Sequence, residues 1–297
     1  MKNPYFGRLL TAMVTPFDAT GVNVEAVKKL VEWWLAHGTD GLVVTGSTGE
    51  AATMSMDEKK LLWTTVVKQV AGRVPVIAGT GSNNTAGSIE TTKAAEACGV
   101  DGVLLVGPYY NKPTQEGYYR HFKAIADSTS CKVILYNVPG RTAANIAPAT
   151  VARVAAACPN VVAIKEAAGK VDQVAELYRL LPDDFTIYSG DDGLILPFMS
   201  VGATGLISVL SNIDGEILQH LMQAYEDGRI KEAADLNKKM VPLANAMFVE
   251  TNPIPVKKAV SLVTGIDCGD PRLPLTPLSK EGLAKMTAVL RDNGLLQ

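Results

Sequence analysis

Long apolar runs are missing from this chain. No stretch reaches the about 18 residues of a membrane-spanning helix, and Met1 to Thr11 carries no charged segment followed by an apolar one, so neither a membrane nor a secretory address is expected. Cysteine is sparse and scattered. Cys98, Cys131, Cys158 and Cys268 form no C-x-x-C pair, which argues against a disulfide-dense scaffold and a zinc site. The 3 histidines, His37, His121 and His220, all fall in expected helices. A metal-dependent aldolase or hydrolase wants imidazoles converging on one spot, and Asp191 with Asp192 is too small a set for magnesium, so no metal is expected as the primary catalyst. Neither sign of charge is in excess: Lys+Arg 28 against Asp+Glu 30 gives a net charge of -2, which speaks against nucleic acid as a partner. A G-x-G-x-x-G after the first strand and a G-x-x-x-x-G-K-[ST] loop are both absent. The expectation is a soluble, cytoplasmic globular protein without a cofactor.

What the chain does have is a repeated pattern. With 47% hydrophobic residues it can build a sizeable core. Short runs of β type recur at Leu9–Thr15, Gly41–Thr45, Val74–Gly79, Gly102–Val106, Lys132–Asn137, Val161–Lys165, Phe185–Ser189 and Thr204–Val209. Near-continuous Val/Ile/Leu is the composition of parallel strands covered on both faces. Helix-period segments lie between them: Val24–His37 stops at Gly38, Ser55 with Glu58 makes a capping box, Thr85–Cys98 stops at Gly99, and Pro148–Ala157 ends before Pro159. Eight alternations predict an α/β fold, a (β/α)8 TIM barrel over residues 1–227, with the active site. A doubly wound open sheet is the alternative. After Asp227 the strands cease; Arg229–Glu250, Ile254–Val263 and Lys280–Asn293 predict a C-terminal helical extension over 228–297.

Barrel enzymes keep their chemistry at the C-terminal ends of strands. The sixth run ends on Lys165, where a dry barrel mouth would lower the pKa and make the amine a nucleophile toward a ketone; a lysine that reaches solvent or pairs with Glu166 is the bland reading. The fifth run ends Tyr136-Asn137-Val138-Pro139-Gly140-Arg141-Thr142. Pro139-Gly140 suits a type II turn, with Val138 continuing the strand and Arg141 folded over the mouth to clamp a carboxylate; a core tyrosine and a solvent-facing arginine are the alternative. Gly46-Ser47-Thr48-Gly49-Glu50, after the second run, offers hydroxyls and backbone N–H groups as an anion cradle, or is a plain turn. Tyr109 and Tyr110 sit between Pro108 and Pro113, as surface packing or as a contact exchanged between subunits. The segments around Gly190 and Ile207 follow the seventh run and lie in the eighth, where barrel phosphate sites often form, so a phosphosugar stays open.

Together, Thr11–Phe17, Gly46–Glu50, Tyr109–Pro113, Tyr136–Thr142, Ile164–Glu166, Ser189–Asp192, Asn252–Lys257 and Arg272–Ser279 resemble the family of pyruvate-dependent class I aldolases that includes dihydrodipicolinate synthase and N-acetylneuraminate lyase. The resemblance implies that Lys165 forms a Schiff base with pyruvate. It makes Tyr136 the proton donor and acceptor, and Ser47 and Tyr110 the rest of a relay, with Tyr110 lent by a neighbouring subunit. Thr48, the Ile207 main chain and Gly190 are implied at the substrate, and Arg141 at the carboxylate of L-aspartate 4-semialdehyde. Ser47 stands where the synthase branch usually has threonine, whereas Val138-Pro139-Gly140-Arg141-Thr142 matches that branch. The resemblance thus implies a lyase of the diaminopimelate route to lysine, acting as a tight homodimer that pairs into a homotetramer. The runner-up is a related N-acetylneuraminate or 2-keto-3-deoxy sugar acid lyase. A silent binding homologue should lack the lysine or the tyrosine, and both are present. Lysine-inhibited members hold the inhibitor's ammonium with a glutamate and line the pocket with histidines; here those positions are Gly87, Met56 and Lys59, which implies little inhibition.

Overall fold

The Val/Ile/Leu runs fold as parallel strands because each presents apolar side chains to both faces, one set inward and one set toward helices. The computed structural model describes residues 4–297; residues 1–3, the start of the segment read above for a leader, lie outside the described residues. The strands are β1 (Leu9–Ala12), β2 (Gly41–Val44), β3 (Val76–Gly79), β4 (Gly102–Val106), β5 (Lys132–Asn137), β6 (Val161–Glu166), β7 (Thr186–Ser189) and β8 (Gly205–Ser208). They pair in sequence order, and β1 closes on β8 through Leu10↔Ile207. The eight-stranded barrel is therefore closed, and the open-sheet alternative falls. Several strands are shorter than their apolar runs, and a small hairpin unforeseen from the sequence, Phe17–Asp18 with Gly21–Val22, follows β1.

Two packed layers result. Leu10, Val43, Ile77, Leu104, Ile134, Ala163, Tyr188 and Ile207 fill the barrel, while the second cluster lies between strands and helices. The helices are α1 (Val24–Ala36), α2 (Met56–Val70), α3 (Thr85–Ala97), α4 (Gln115–Ala126), α5 (Pro139–Thr142), α6 (Pro148–Ala157), α7 (Val171–Leu180), α8 (Ile195–Met199) and α9 (Gly215–Glu226). Ser55 and Glu58 form the expected capping box on α2. Beyond α9 come α10 (Ile230–Ala246), α11 (Ile254–Thr264) and α12 (Lys280–Asp292), the C-terminal helices foreseen above.

One expected turn is corrected. Pro139–Thr142 is a helical turn, not a type II turn: Arg141 and Thr142 N–H both donate to the Val138 carbonyl, at 2.9 and 3.0 Å. Proline suits the first helical position because its fixed φ is already helical and its missing N–H would be unpaired there. The strand accordingly stops at Asn137 instead of running through Val138.

Candidate functional site

Strand alternation decides where the fifth and sixth strands send their side chains. Tyr136 and Lys165 are register partners and face into the barrel; Asn137 and Glu166, the next pair, face out toward α7. There Glu166 is fully buried and accepts from Asn137 Nδ2 at 3.0 Å, Gln173 Nε2 at 2.7 Å and Ala168 N at 2.7 Å. Burial raises its pKa, and those donors act against the rise. The Lys165–Glu166 pairing is thereby excluded, since the carboxylate lies on the opposite face of the sheet.

Lys165 is 6% exposed, and no ion pair to it is present among the described residues. Its Nζ lies 4.7 Å from the Tyr136 ring centroid. Burial pulls its pKa from 10.5 to about 8; the Asp192 charge pulls it up and Arg141 pushes it down. At pH 7 about a tenth of such an amine is neutral, against roughly three parts in ten thousand at the ordinary value. Tyr136 is shifted the other way, to about 12, chiefly by burial, so its phenol keeps its proton at neutral pH. Gly190 completes this corner. A Cβ there would stand 3.0 Å from Lys165 Cε and 2.7 Å from Ala167 Cβ, so only glycine leaves the lysine stem its place.

A cavity of about 290 Å³ opens above the amine, at the C-terminal ends of the strands. Ser47, Thr48, Tyr136, Arg141, Lys165 and Gly190 line it, so the structure brings together six of the eight residues singled out in the sequence. Ile207 does not line it; it is buried within the barrel below. Tyr110 does not reach it either: it is 90% exposed, in a left-handed conformation at φ 70. A larger cavity of about 840 Å³ lies near the strand starts, around Lys132, Val161 and Thr186, away from the end where barrels keep their chemistry, and none of the eight lines it.

The Ser47–Thr48 loop is held in a strained shape. Thr45 and Glu50, on either side of it, have φ of 54 and 56, a region costly for residues with a Cβ. Trp63 Nε1 donates to Thr45 Oγ1 at 2.9 Å, and a Cβ on Gly79 would meet the Thr45 carbonyl at 2.3 Å. Between them, the Ser47 and Thr48 N–H groups donate to no described residue, as an anion cradle requires.

The phosphate alternative finds its donors taken. Buried Asp192 accepts from Val209 N at 3.1 Å and Leu210 N at 3.0 Å, and also from the Ser208 hydroxyl. The same aspartate is the charge that pulls the Lys165 pKa up against burial.

Sequence reasoning missed the contribution of the C-terminal helices. Ala244 and Asn245 at the end of α10, then Phe248 and Asn252, wall the cavity. Asn252 Nδ2 donates to Thr48 Oγ1 at 3.0 Å, and its carbonyl accepts from Arg141 Nη2 at 3.1 Å. Behind it, Lys257 Nζ meets Glu50 Oε1 at 2.7 Å, and Arg272 N donates to Glu50 Oε2 at 2.8 Å. Only the Asn252–Lys257 and Arg272–Ser279 motifs pointed there, without roles.

The model of the dihydrodipicolinate synthetase family matches residues 5–293. The 4-hydroxy-tetrahydrodipicolinate synthase of Bacillus subtilis is 50% identical over 288 residues, covering 97% of this chain and 99% of that one. Among solved structures, a dihydrodipicolinate synthase of Bacillus anthracis superposes with a TM-score of 0.94 at 47% identity, covering 97% and 98%. The Cyanidioschyzon merolae enzyme with lysine bound gives a TM-score of 0.97 at 41% identity, over 99% and 100%.

Proposed function

The chain belongs to the dihydrodipicolinate synthetase family, and from that premise we propose that it is a lyase condensing pyruvate with L-aspartate 4-semialdehyde to 4-hydroxy-tetrahydrodipicolinate through a Schiff base on Lys165. The observation that carries the mechanism is the buried, unpaired Lys165 amine at about pKa 8 beside Tyr136.

The neutral amine attacks the pyruvate ketone, and loss of water gives an iminium. Tyr136 lends the proton that the departing hydroxyl needs and recovers it afterward. The iminium draws electrons from the adjacent methyl group; its deprotonation yields an enamine, which attacks the aldehyde carbon. The new alkoxide takes a proton from the relay of Tyr136, Ser47 and the Tyr110 of a neighbouring subunit. The substrate's own amino group then displaces Lys165 and closes the ring. Thr48, with the free N–H groups beside it, and Gly190 hold the pyruvate end, a role in which Ile207, below the cavity, takes no part; Arg141 holds the carboxylate of the aldehyde.

A homo-oligomer, a tight dimer pairing into a tetramer, belongs to the same proposal; the exposed Tyr109 and Tyr110 support a contact between copies. So does a cytoplasmic location, for which the four unpaired cysteines speak. No helix among the described residues is long and apolar enough to cross a membrane. The deciding assay sets pyruvate with L-aspartate 4-semialdehyde beside pyruvate with N-acetylmannosamine. Turnover with the first is expected, and preference for the second would assign the lyase branch.

A further inference from the structure

Behind the Tyr136–Lys165 pair runs a chain of amides that ends on one carboxylate. The Ile146 N–H donates to Asn137 Oδ1 at 3.0 Å, which fixes that amide with its oxygen toward the main chain. Asn137 Nδ2 then gives one proton to Asn145 Oδ1 at 2.8 Å. Its other proton goes to Glu166, 3.1 Å from Oε1 and 3.0 Å from Oε2. Asn145, oriented by the first of these bonds, donates through Nδ2 to Gln173 Oε1 at 2.9 Å. Gln173, oriented in turn, donates through Nε2 to Glu166 Oε2 at 2.7 Å. Ala168 N donates to Oε1 at 2.7 Å.

Each oxygen of Glu166 thus meets N–H groups whose direction a main-chain donor has set. Neither has a lone pair left for a proton of its own. Only an ionised carboxylate, which accepts and never donates, completes the chain. Glu166 and Asn137 are both buried, and no cation opposes this charge among the described residues. A buried carboxylate without a counter-ion is costly, so these donors carry its support.

The bonds join the parts of the site. Asn137 follows Tyr136, Glu166 follows Lys165, and the two pairs are neighbours in the register of β5 and β6. The bond from Asn137 to Glu166 therefore clamps the strand ends one residue beyond the reacting pair. The bonds that join Asn137 to Asn145 and Ile146 close the base of the loop that carries α5 and Arg141.

We propose that Glu166, as a carboxylate, is the positioning residue of this site: by gathering these donors it holds Tyr136 against Lys165 and Arg141 at the cavity. The inference rests on the functional reading above and adds a residue that touches no substrate.

The test uses full-length enzyme as wild type, Glu166→Gln, Gln173→Glu and the exchange Glu166→Gln/Gln173→Glu. Exhaustive borohydride trapping counts the sites in which pyruvate reaches Lys165, and kcat is expressed per trapped site. Glu166→Gln sets an amide N–H against a donor. Trapping should stay at the wild-type level, while kcat per site falls about 10- to 100-fold, the span of one hydrogen bond to a charged group. Gln173→Glu alone sets two carboxylates together and should lose turnover as well. In the exchange the new amide donates to the new carboxylate, which also accepts from Asn145, so most of the loss should return. Turnover per site within about threefold of wild type in either single variant would overturn the proposal. So would a fall in turnover matched by the fall in trapped sites, which would leave Glu166 as packing alone, or an exchange that regains nothing. If Glu166→Gln does not fold, the exchange decides: it should fold and turn over, and failure to do either overturns the proposal. Absence of any condensation by the wild type would instead defeat the functional reading, and this inference with it.

Discussion

Lys257 Nζ lies 2.7 Å from Glu50 Oε1, with both side chains 1% exposed and 207 positions between them in the chain. This buried pair fastens α11 to the end of the loop that carries Ser47 and Thr48. Arg272 adds a second fastening, through its N–H to Glu50 and through its guanidinium to Glu58 at 2.9 Å. The C-terminal helices therefore set the shape of the cavity as well as covering it.

Lys257→Met would leave the Glu50 carboxylate buried without its cation. Breaking such a pair costs about 3–5 kcal/mol, so urea unfolding should shift by that order. Pairing it with Glu50→Gln should recover part of the loss. Because the loop holds the pyruvate end, KM for pyruvate should rise more than kcat falls. A loss under about 1 kcal/mol would contradict the account.

The Lys165 shift predicts a pH profile and a stability cost. Pyruvate trapping should rise with pH about a midpoint near 8, where the amine becomes neutral. The folded pKa lies below the unfolded value of 10.5, so the unfolded chain binds more protons between those two pH values, and stability rises with pH across that window. The cost is fully present below pH 8, on the order of 3 kcal/mol. Lys165→Met should thus be inactive yet more stable at pH 7, with the gain shrinking toward pH 10.5. Urea midpoints at both pH values measure it, and a methionine variant less stable at pH 7 would count against the burial argument.

Lysine at millimolar concentration should inhibit little. Gly87 and Met56 offer no charge to the inhibitor's ammonium, and half-buried Lys59 would repel it. A Cβ on Gly87 meets only ordinary contacts, 3.7 Å from Asn84, so the backbone accepts a side chain there, and Gly87→Glu should bring inhibition into the millimolar range. Half-inhibition of the wild type below about 1 mM, near −4 kcal/mol of binding, would show that another group supplies the charge.

A relay completed by the Tyr110 of a neighbour makes the dimer the smallest active unit. Inactive Tyr110→Phe and inactive Lys165→Ala subunits, mixed and exchanged, should regain activity in heterodimers. If native mass spectrometry verifies exchange and none returns, Tyr110 works within its own chain or not at all.

The barrel was legible because each strand is an apolar run bounded by loop residues, and because parallel strands buried on both faces carry that pattern without alternation. Lys165 and Tyr136 were legible by position, as polar groups at the ends of such runs. The pairing of Lys165 with Glu166 was undecided in the sequence and is settled by strand alternation, which sends neighbours to opposite faces. Asp192 was read only as half of a pair too small for magnesium; its contacts with Val209 and Leu210 join the segments that follow the neighbouring strands β7 and β8, which no local pattern encodes. Asn252 reaches Thr48 across 204 positions, so nothing near it in sequence marks a wall residue. The turn at Pro139-Gly140 fits two geometries, and the helical one won with the Val138 carbonyl taking two N–H groups.

The most direct measurement treats the enzyme with pyruvate and borohydride and maps the modified peptide by mass. The account predicts one reduced pyruvate adduct, on Lys165, and none in Lys165→Ala. An adduct on another lysine, such as Lys170, or full activity without any trapped adduct, would contradict it.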